Sequence, residues 1–280
     1  MVRSRKDFMH ILWERFLDLL TYLIVFLFLC PILWLISTAL KTRSDAFAMP
    51  PVWIFQPTMA NIMEVLTDSA FLLFYRNSII VASITTLLTL MLGIPAAYAL
   101  ARFQFRGKRP MAFWILTTRL LPPIGMLFPL YIIFNTLRML DTFPGLIILH
   151  LSFALVFVIW MMRGYFIQVP VELEEAAQCD GATRFGALMR IVVPLAAPGI
   201  AAVSVFTFII SWNEFLFALI FTRNAVKTAP VALVGYMSFE GINWGPLAAA
   251  GLLVLAPVFI LSIFVLKYLV AGLSMGAIKS

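Results

Sequence analysis

The chain has 280 residues, of which 63% are hydrophobic and only 12% are charged. A soluble domain carries about a quarter charged residues, so this composition excludes an ordinary soluble protein and favours a membrane protein with several spans. The net charge of +7 follows from membrane topology and does not require a nucleic-acid partner. The two cysteines, Cys30 in an apolar run and Cys179 in a polar loop, are expected to be free thiols.

Six segments of the sequence reach the roughly 20 apolar residues that a helix needs to cross the hydrocarbon core. They predict an all-α integral membrane protein in which residues 1–280 form a single membrane domain. The first apolar run is too long for the hydrophobic region of a signal peptide, so we expect an uncleaved span. The predicted spans are about 16–40, 77–100, 111–134, 144–162, 199–222 and 246–266.

Lysine and arginine are distributed unevenly between the two sides of the membrane. With six alternating spans, thirteen lie on the side that holds both termini and six on the other side. Because loops rich in positive charge stay in the cytoplasm, this distribution predicts cytoplasmic termini and a cytoplasmic loop at 163–198. The segments 41–76, 135–143 and 223–245 are then the outer connections.

The third predicted span contains Pro122 and Pro123 close to the charged Arg119. Each proline removes a backbone donor and disturbs the preceding turn, and in lipid the freed carbonyl groups need a partner or a water-lined cavity. One interpretation is a broken helix beside a transport path. The other is a kink that fits neighbouring helices.

The fifth predicted span contains Asn213 and Glu214. An intramembrane carboxylate is costly, so it is expected to face a partner or an aqueous cavity. Helix rise places Arg119 about 12 Å and Glu214 about 22 Å from the cytoplasmic entry, a difference that two long side chains can still bridge. Contact with a hydroxyl-rich solute and a structural polar network or gate are the two interpretations. The isolated His150, at the start of the fourth span, is expected to be structural or interfacial.

The most polar stretch of the chain lies in the loop at 163–198. Pro170 suits the first turn of a helix, and the acidic residues behind it complement the helix dipole. Gly181 offers the left-handed conformation at which helices often end. The sequence therefore predicts a helix, a glycine turn and an amphipathic helix that project from the membrane. The apolar face of that second helix follows the i, i+3, i+4, i+7 pattern through Phe185, Leu188, Met189 and Val192.

This stretch closely resembles the EAA loop in the membrane subunits of bacterial ABC importers. In that pattern Glu-Ala-Ala is followed at fixed spacings by glycine, isoleucine, leucine and proline, and Val193 replaces the usual leucine here. Agreement over about twenty positions is a far stronger signal than a lone short motif. The positions in register are Glu175, Ala176, Ala177, Gly181, Ile191 and Pro194. The resemblance implies a MetI-like permease fold with a cytoplasmic coupling helix between the fourth and fifth spans.

The same resemblance implies that the loop receives the movement of a cytoplasmic ATPase. Glu175 would meet a basic residue of the ATPase, the alanines would allow close approach, and Gly181 would set the turn. The alternative is a solvated loop whose acidic face only keeps it soluble. The residues assigned to ATPase coupling are Glu174, Glu175, Ala176, Ala177, Asp180 and Gly181.

The C-terminal residues look like the Gly-Leu-Thr-x-Gly-Ala-x-Lys ending of the MalG-like subgroup of carbohydrate importers. In that family the tail reaches between the two ATPase subunits, whereas the alternative is an interfacial helix end. The segment 96–103 at the end of the second span also matches the subgroup, and the Trp-Asn-Glu cluster of the fifth span is similar to a motif of carbohydrate permeases. The tail residues assigned to ATPase contact are Gly272, Ser274, Gly276 and Lys279.

The sequence holds no phosphate-binding glycine loop before Lys108 and no catalytic or metal-ligand spacing, so we expect neither an enzyme nor a bound cofactor in this chain. The resemblance implies partners instead. These are a second, different permease subunit in a heterodimer, two ATPase subunits that bind ATP and magnesium, and an extracytoplasmic solute-binding protein that delivers a sugar, sugar alcohol or related polyol. It places the chain in the bacterial cytoplasmic (inner) membrane. The alternatives are a secondary transporter driven by an ion gradient and an intramembrane enzyme.

Overall fold

The structure is a computed structural model that describes residues 5–238 and 241–277. The regular secondary structure in this part of the chain is helical apart from an antiparallel ribbon of β1 (Met237–Ser238) and β2 (Gly241–Ile242). The all-α prediction is therefore confirmed. The helices are α1 (Arg5–Ala39), α2 (Arg43–Phe47), α3 (Ala60–Thr67), α4 (Ser69–Arg102), α5 (Lys108–Thr117), α6 (Pro123–Thr136), α7 (Phe143–Gln168), α8 (Val171–Cys179), α9 (Arg184–Ala187), α10 (Val193–Leu195), α11 (Ala197–Trp212), α12 (Leu216–Phe221), α13 (Ala229–Ala232) and α14 (Trp244–Ala277).

Four helices in the described ranges are long and apolar enough to cross a membrane: α4, α7, and the parts Trp13–Ala39 of α1 and Trp244–Leu266 of α14. Two further pairs of helices are each bent at a short break, and if each pair is one span the total is six, the predicted number. The helices extend beyond the predicted bounds. α4, for example, begins at Ser69 rather than at residue 77.

The third predicted span, 111–134, is a sharply broken helix. Its two segments, Lys108–Leu120 and Pro123–Thr136, meet at 95°. Leu121 and Pro122 each precede a proline, which disfavours the helical conformation, and both are extended, with ψ of 126° and 124°. The prolines thus divide this segment instead of kinking one continuous helix.

The fifth predicted span, 199–222, is also divided. α11 ends at Trp212 and α12 begins only at Leu216, so the predicted polar residues of this span lie at a helix break. At its other end α11 is turned by 80° from the segment Arg184–Leu195. The bent pair that forms a candidate span here begins earlier in the chain than the predicted segment, at Arg184, and also ends earlier, at Trp212.

The chain forms two compact units, of which the first comprises residues up to Asp68 together with Tyr236–Leu253. Most apolar side chains of α1 are exposed, as lipid-facing residues would be. The end of α1 is tied to α3 by Asn61, whose amide donates to the carbonyl oxygens of Ala39 at 2.9 Å and Lys41 at 2.8 Å. Lys41 is buried, and its ammonium group lies 4.8 Å from the ring centre of Trp34.

The second unit comprises residues 69–235 and 254 onwards, and α4, α7 and α11 pack against one another in it. Small residues bring these helices close together, as is common in membrane proteins. A Cβ atom added at Gly93 of α4 would lie 2.6 Å from Val158 Cγ1 of α7. A buried cluster continues from these helices into the 163–198 loop, through Ala97, Tyr98, Val158, Met162, Phe166, Val169, Leu188, Val192, Ala196 and Val203.

Candidate functional site

The predicted helix and glycine turn of the polar loop are confirmed. α8 follows Pro170 and ends at Cys179, and Gly181 has a left-handed φ of +88°. The N–H groups of Ala182 and Gly181 donate to the carbonyl oxygens of Ala177 and Gln178, each at 3.0 Å. These two bonds form the glycine-centred helix end that satisfies the last carbonyl groups of a helix.

The segment after the turn differs from a regular amphipathic helix. Thr183 Oγ1 accepts from the Gly186 N–H group at 3.0 Å and starts α9, which continues into a π-helical turn over Leu188–Val192. The predicted apolar face is correspondingly divided. Leu188 and Val192 are buried, whereas Phe185 and Met189 are 62% and 44% exposed. The four residues of the predicted apolar face therefore do not share one environment, because two of them pack in the core and two are exposed.

Glu174 is held inside the chain by two residues of α4. Its carboxylate accepts from the Tyr98 hydroxyl at 2.7 Å and from Arg102 Nε at 2.6 Å. Arg102 Nη2 also donates at 2.6 Å to the carbonyl oxygen of Val169, directly after α7. We call Tyr98, Arg102, Glu174 and the Val169 carbonyl group the Glu174 junction. It joins the end of α4, the end of α7 and the first turns of α8.

The Glu174 junction is a buried ion pair, with only 13% of the Arg102 side chain and 3% of the Glu174 side chain exposed. Such a pair must recover the free energy of removing two charges from water, and here each charge has more than one hydrogen-bond partner. Leaving either charge without its partner typically costs about 3–5 kcal/mol. The junction therefore specifies the position of α8 on α4 and α7.

Most of the other predicted coupling residues are exposed on the surface of the polar loop. Glu175, Ala176, Asp180 and Gly181 are exposed, and Ala177 is half-buried. Exposed apolar side chains accompany them, since Leu173 is 45% exposed in addition to Phe185 and Met189. We call Leu173, Glu175, Phe185 and Met189 the coupling face. The sequence pattern placed Phe185 and Met189 on one apolar helical face, and their exposure was not predicted.

The predicted tail residues lie at the end of the described chain. Gly272, Ser274 and Gly276 belong to the backbone of α14, and Lys279 lies outside the described residues.

Arg119, Pro122 and Pro123 are brought together at the break between α5 and α6, and all three are exposed. The Arg119 guanidinium lies 5.7 Å from the ring centre of Phe157 on α7. No ion pair between Arg119 and Glu214 occurs in the part of the chain that the structure describes, so the two charges do not meet as the sequence allowed.

Glu214 instead pairs with the fourth span. Its carboxylate oxygens accept from the backbone N–H groups of Phe217 at 2.9 Å and Ala218 at 3.1 Å, and thereby cap α12. His150 Nε2 lies 3.3 Å from Glu214 Oε2, close enough for an ion pair although not aligned as a hydrogen bond. The other ring nitrogen of His150 is 2.8 Å from Ser211 Oγ. The structural role expected of His150 is therefore to join α7 to Ser211 and Glu214. Asn213, which precedes Glu214, is exposed.

A second polar site, not predicted from the sequence, holds the segment 222–229, which we call the outer loop. The Asp141 carboxylate accepts from the backbone N–H groups of Arg223, Asn224, Ala225 and Val226 at 3.0–3.2 Å. Burial acts to raise the pKa of Asp141, but these four N–H groups stabilise the anion and leave its pKa below the usual value.

The first turns of α4 hold the same outer loop from another direction. The buried Asn77 amide donates to the carbonyl oxygens of Ala225 at 3.0 Å and Lys227 at 3.1 Å. Ser78 Oγ accepts from the Ala229 N–H group at 2.7 Å. Only a lone aspartate in a short outer connection and an asparagine in an apolar helix could have pointed to this site, and neither residue has a motif around it.

The fold and these sites define an integral membrane transport protein, with several apolar helices and a polar loop fixed to their ends. Residues 89–274 match the family described as "Binding-protein-dependent transport system inner membrane component", and the chain belongs to this family. It is a permease, a multi-pass transport subunit rather than an enzyme, and ATP hydrolysis is the task of a separate subunit. The family supports ATP-driven import over the ion-gradient alternative.

Relatives and solved structures agree with this assignment. The sulfoquinovosyl glycerol transport system permease protein SmoH of Agrobacterium fabrum is 35% identical, over 90% of this chain and 89% of its own. The trehalose/maltose transport system permease protein MalG of Thermococcus litoralis is 33% identical, over 90% and 91%. A chain of a bacterial ABC transporter that imports the acidic polysaccharide alginate has a TM-score of 0.79 and 26% identity, and the match covers 96% of this chain and 99% of that one. The MetI-like permease fold is thereby shown.

Proposed function

We propose that this permease imports a sugar, sugar alcohol or related polyol and that the coupling face receives the movement of the ATPase. The carbohydrate class is supported by the substrates that the names of the two relatives and of the alginate transporter give. The coupling role rests on one observation above all. α8 is fixed from inside by the Glu174 junction, and this leaves Glu175 and apolar side chains exposed on the opposite side.

The composition of the coupling face suits a protein partner. Exposed Leu173, Phe185 and Met189 supply apolar area on the same loop as the carboxylate of Glu175. An apolar centre beside a charge is typical of a protein interface, and a basic residue of the ATPase would complement Glu175. Ala176 allows close approach and Gly181 fixes the turn. The exposed Asp180 directly follows α8, while Glu174 acts from inside by positioning α8.

The remaining partners and the topology follow the same proposal. The chain would act as one permease domain in a heterodimer with a second permease, in the bacterial inner membrane, with both termini in the cytoplasm. Two ATPase subunits would bind ATP and magnesium, and the tail with Gly272, Ser274, Gly276 and Lys279 would contact them. A solute-binding protein would dock on the outer side, where Asp141 and Asn77 hold the outer loop in a defined conformation.

Two helix breaks are proposed to border the transport path. The exposed Arg119, Pro122 and Pro123 lie at the first break, and the exposed Asn213 lies at the second. Asn213 has the hydrogen-bonding capacity to contact a hydroxyl-rich solute. Glu214 is already engaged by α12 and His150, so its proposed role is to hold the second break open as a structural gate.

The test of coupling is a charge reversal on α8 in the complete transporter, reconstituted in vesicles with its binding protein. Glu175→Lys is expected to abolish ATP-dependent uptake and to weaken binding of the ATPase while membrane insertion stays normal. Glu172→Lys is the matched control, since Glu172 is an exposed glutamate on the same helix. Normal uptake by Glu175→Lys would contradict the coupling role. Uptake assays over a panel of sugars, polyols and amino acids test the substrate class.

A further inference from the structure

The two polar sites described above lie at opposite ends of one helix. Arg102 is the last residue of α4, and Tyr98 is on the same helical face four residues earlier. Asn77 and Ser78 lie near the other end of this helix. From Asn77 to Arg102 α4 rises about 37 Å, which exceeds the roughly 30 Å thickness of the hydrocarbon core. One continuous helix therefore connects the coupling helix α8 with the outer loop.

The contacts that attach α4 at both ends are buried hydrogen bonds, which depend on direction. At the inner end, the Glu174 side chain is 3% exposed and bonds to both Tyr98 and Arg102. At the outer end, Asn77 and Ser78 are 0% and 2% exposed and bond to the backbone of the outer loop. Such bonds hold a partner in one orientation, whereas apolar packing tolerates sliding.

A second contact at the inner end extends the attachment beyond α8. The guanidinium group of Arg184, the first residue of α9, lies 5.1 Å from the ring centre of Phe103, directly after α4. The Phe103 ring in turn lies edge-on to Tyr98 at 5.8 Å. Both halves of the polar loop therefore contact the end of α4, and a displacement of the loop would act on α4 directly.

We propose that α4 transmits ATPase-driven movement of α8 to the outer loop, with the Glu174 junction as its inner attachment and Asn77 and Ser78 as its outer attachment. The proposal rests on the function proposed above and adds its route within this chain. Movement at the coupling face shifts α4 through Arg102, and α4 shifts the loop on which the binding protein docks. By reciprocity, a binding protein that docks on the outer loop changes the affinity of α8 for the ATPase.

The experiment follows the outer loop with a spin label at Asn224→Cys, an exposed position, in a Cys30→Ser, Cys179→Ser background of the complete reconstituted transporter. ATP and binding protein are expected to change the label's mobility in this background. Glu174→Gln should reduce that response about tenfold, within the range of 5–150-fold that is usual for coupled sites, and should reduce uptake per ATP hydrolysed in parallel. Glu172→Gln is the control and should leave both quantities unchanged.

The outer attachment is tested in the same background. Asn77→Ala should also reduce the response, and the double variant with Glu174→Gln should show no further loss, because both changes interrupt one route. Tyr98→Phe removes a single hydrogen bond and retains the ring, so it should give an intermediate response even if Glu174→Gln assembles poorly.

Several results would overturn the proposal. These are a full label response in Glu174→Gln, equal proportional losses of uptake and ATP hydrolysis, and independent additive losses in the double variant. A background transporter that shows no ATP-dependent uptake would instead overturn the proposed function on which the route depends.

Discussion

Glu174 and Glu214 are chemically identical, yet the molecule holds them in opposite ways. Glu214 lies 3.3 Å from His150 of α7, but it accepts its hydrogen bonds from backbone N–H groups three and four residues ahead, and these bonds shape a local helix break. Glu174 is held by side chains 72 and 76 residues away and joins separate helices. A carboxylate that binds locally defines the shape of its own segment. One that binds at long range defines how elements are placed against one another.

The difference predicts different consequences of substitution. Loss of a local cap releases α12 and leaves the rest of the fold in place. Loss of a partner in the Glu174 junction leaves a charge buried without compensation and frees α8 from α4.

Arg102→Met should destabilise the protein by about 3–5 kcal/mol, because Glu174 is then buried without its counter-charge. Equilibrium unfolding in mixed micelles measures the change. Arg184→Met is the matched control, since its guanidinium is exposed on the Phe103 ring and such contacts contribute about 0.5–1 kcal/mol. Equal losses of stability in the two variants would show that the Glu174 junction stabilises the protein no more than an exposed contact does.

Glu214→Gln should cost less, about 1–3 kcal/mol, because the amide retains one oxygen acceptor and leaves one backbone N–H group unsatisfied. It should also change transport or basal ATP hydrolysis if the second helix break borders the path. The same unfolding assay and vesicle uptake measure both effects. A variant with wild-type transport would limit Glu214 to a structural role.

Asp141→Asn extends the comparison to a third carboxylate, which, like Glu214, is held by backbone N–H groups. Because the pKa of Asp141 is lowered in the folded chain, its stabilisation is complete above the unfolded value of about 3.9 and is lost as the pH falls through the lower folded value. The melting temperatures of wild type and Asp141→Asn should therefore differ by a constant amount between pH 5 and 8 and converge only below about pH 4. A difference that grows with acidification would contradict this assignment.

Gly181→Ala should have the smallest effect, about 1 kcal/mol, because alanine is strained at the left-handed φ of +88° although its Cβ meets no atom. Gly164→Ala is the control, since Gly164 also has free space but lies within the helix α7. There alanine should be neutral or stabilising. Thermal unfolding of the two variants separates conformational strain from crowding.

The sequence was sufficient for features that depend on local chemistry. Apolar length predicted the spans, Gly181 predicted the end of α8, and Pro122 and Pro123 predicted a disturbed third span. The size of that disturbance was not predictable, because a 95° bend depends on what the two segments pack against.

Long-range partners were beyond the sequence. Glu172, Glu174 and Glu175 look equivalent along the chain, yet only Glu174 is buried, because α4 presents Tyr98 and Arg102 at its position. Phe185 and Leu188 likewise share a predicted face, but a π-helical turn begins at Leu188 and only Leu188 is buried. Partners that are distant in sequence leave no periodic signal.

If the coupling face contacts the ATPase, photo-crosslinking in the assembled transporter should detect that contact. Benzoylphenylalanine in place of Phe185 replaces one exposed aromatic residue by another, and the same replacement of the 75% exposed Phe128 on α6 is the control. In the assembled transporter, the group at position 185 should form an adduct with the ATPase subunit and the group at position 128 should not. An absent adduct at position 185, or equal adducts at both positions, would contradict the account.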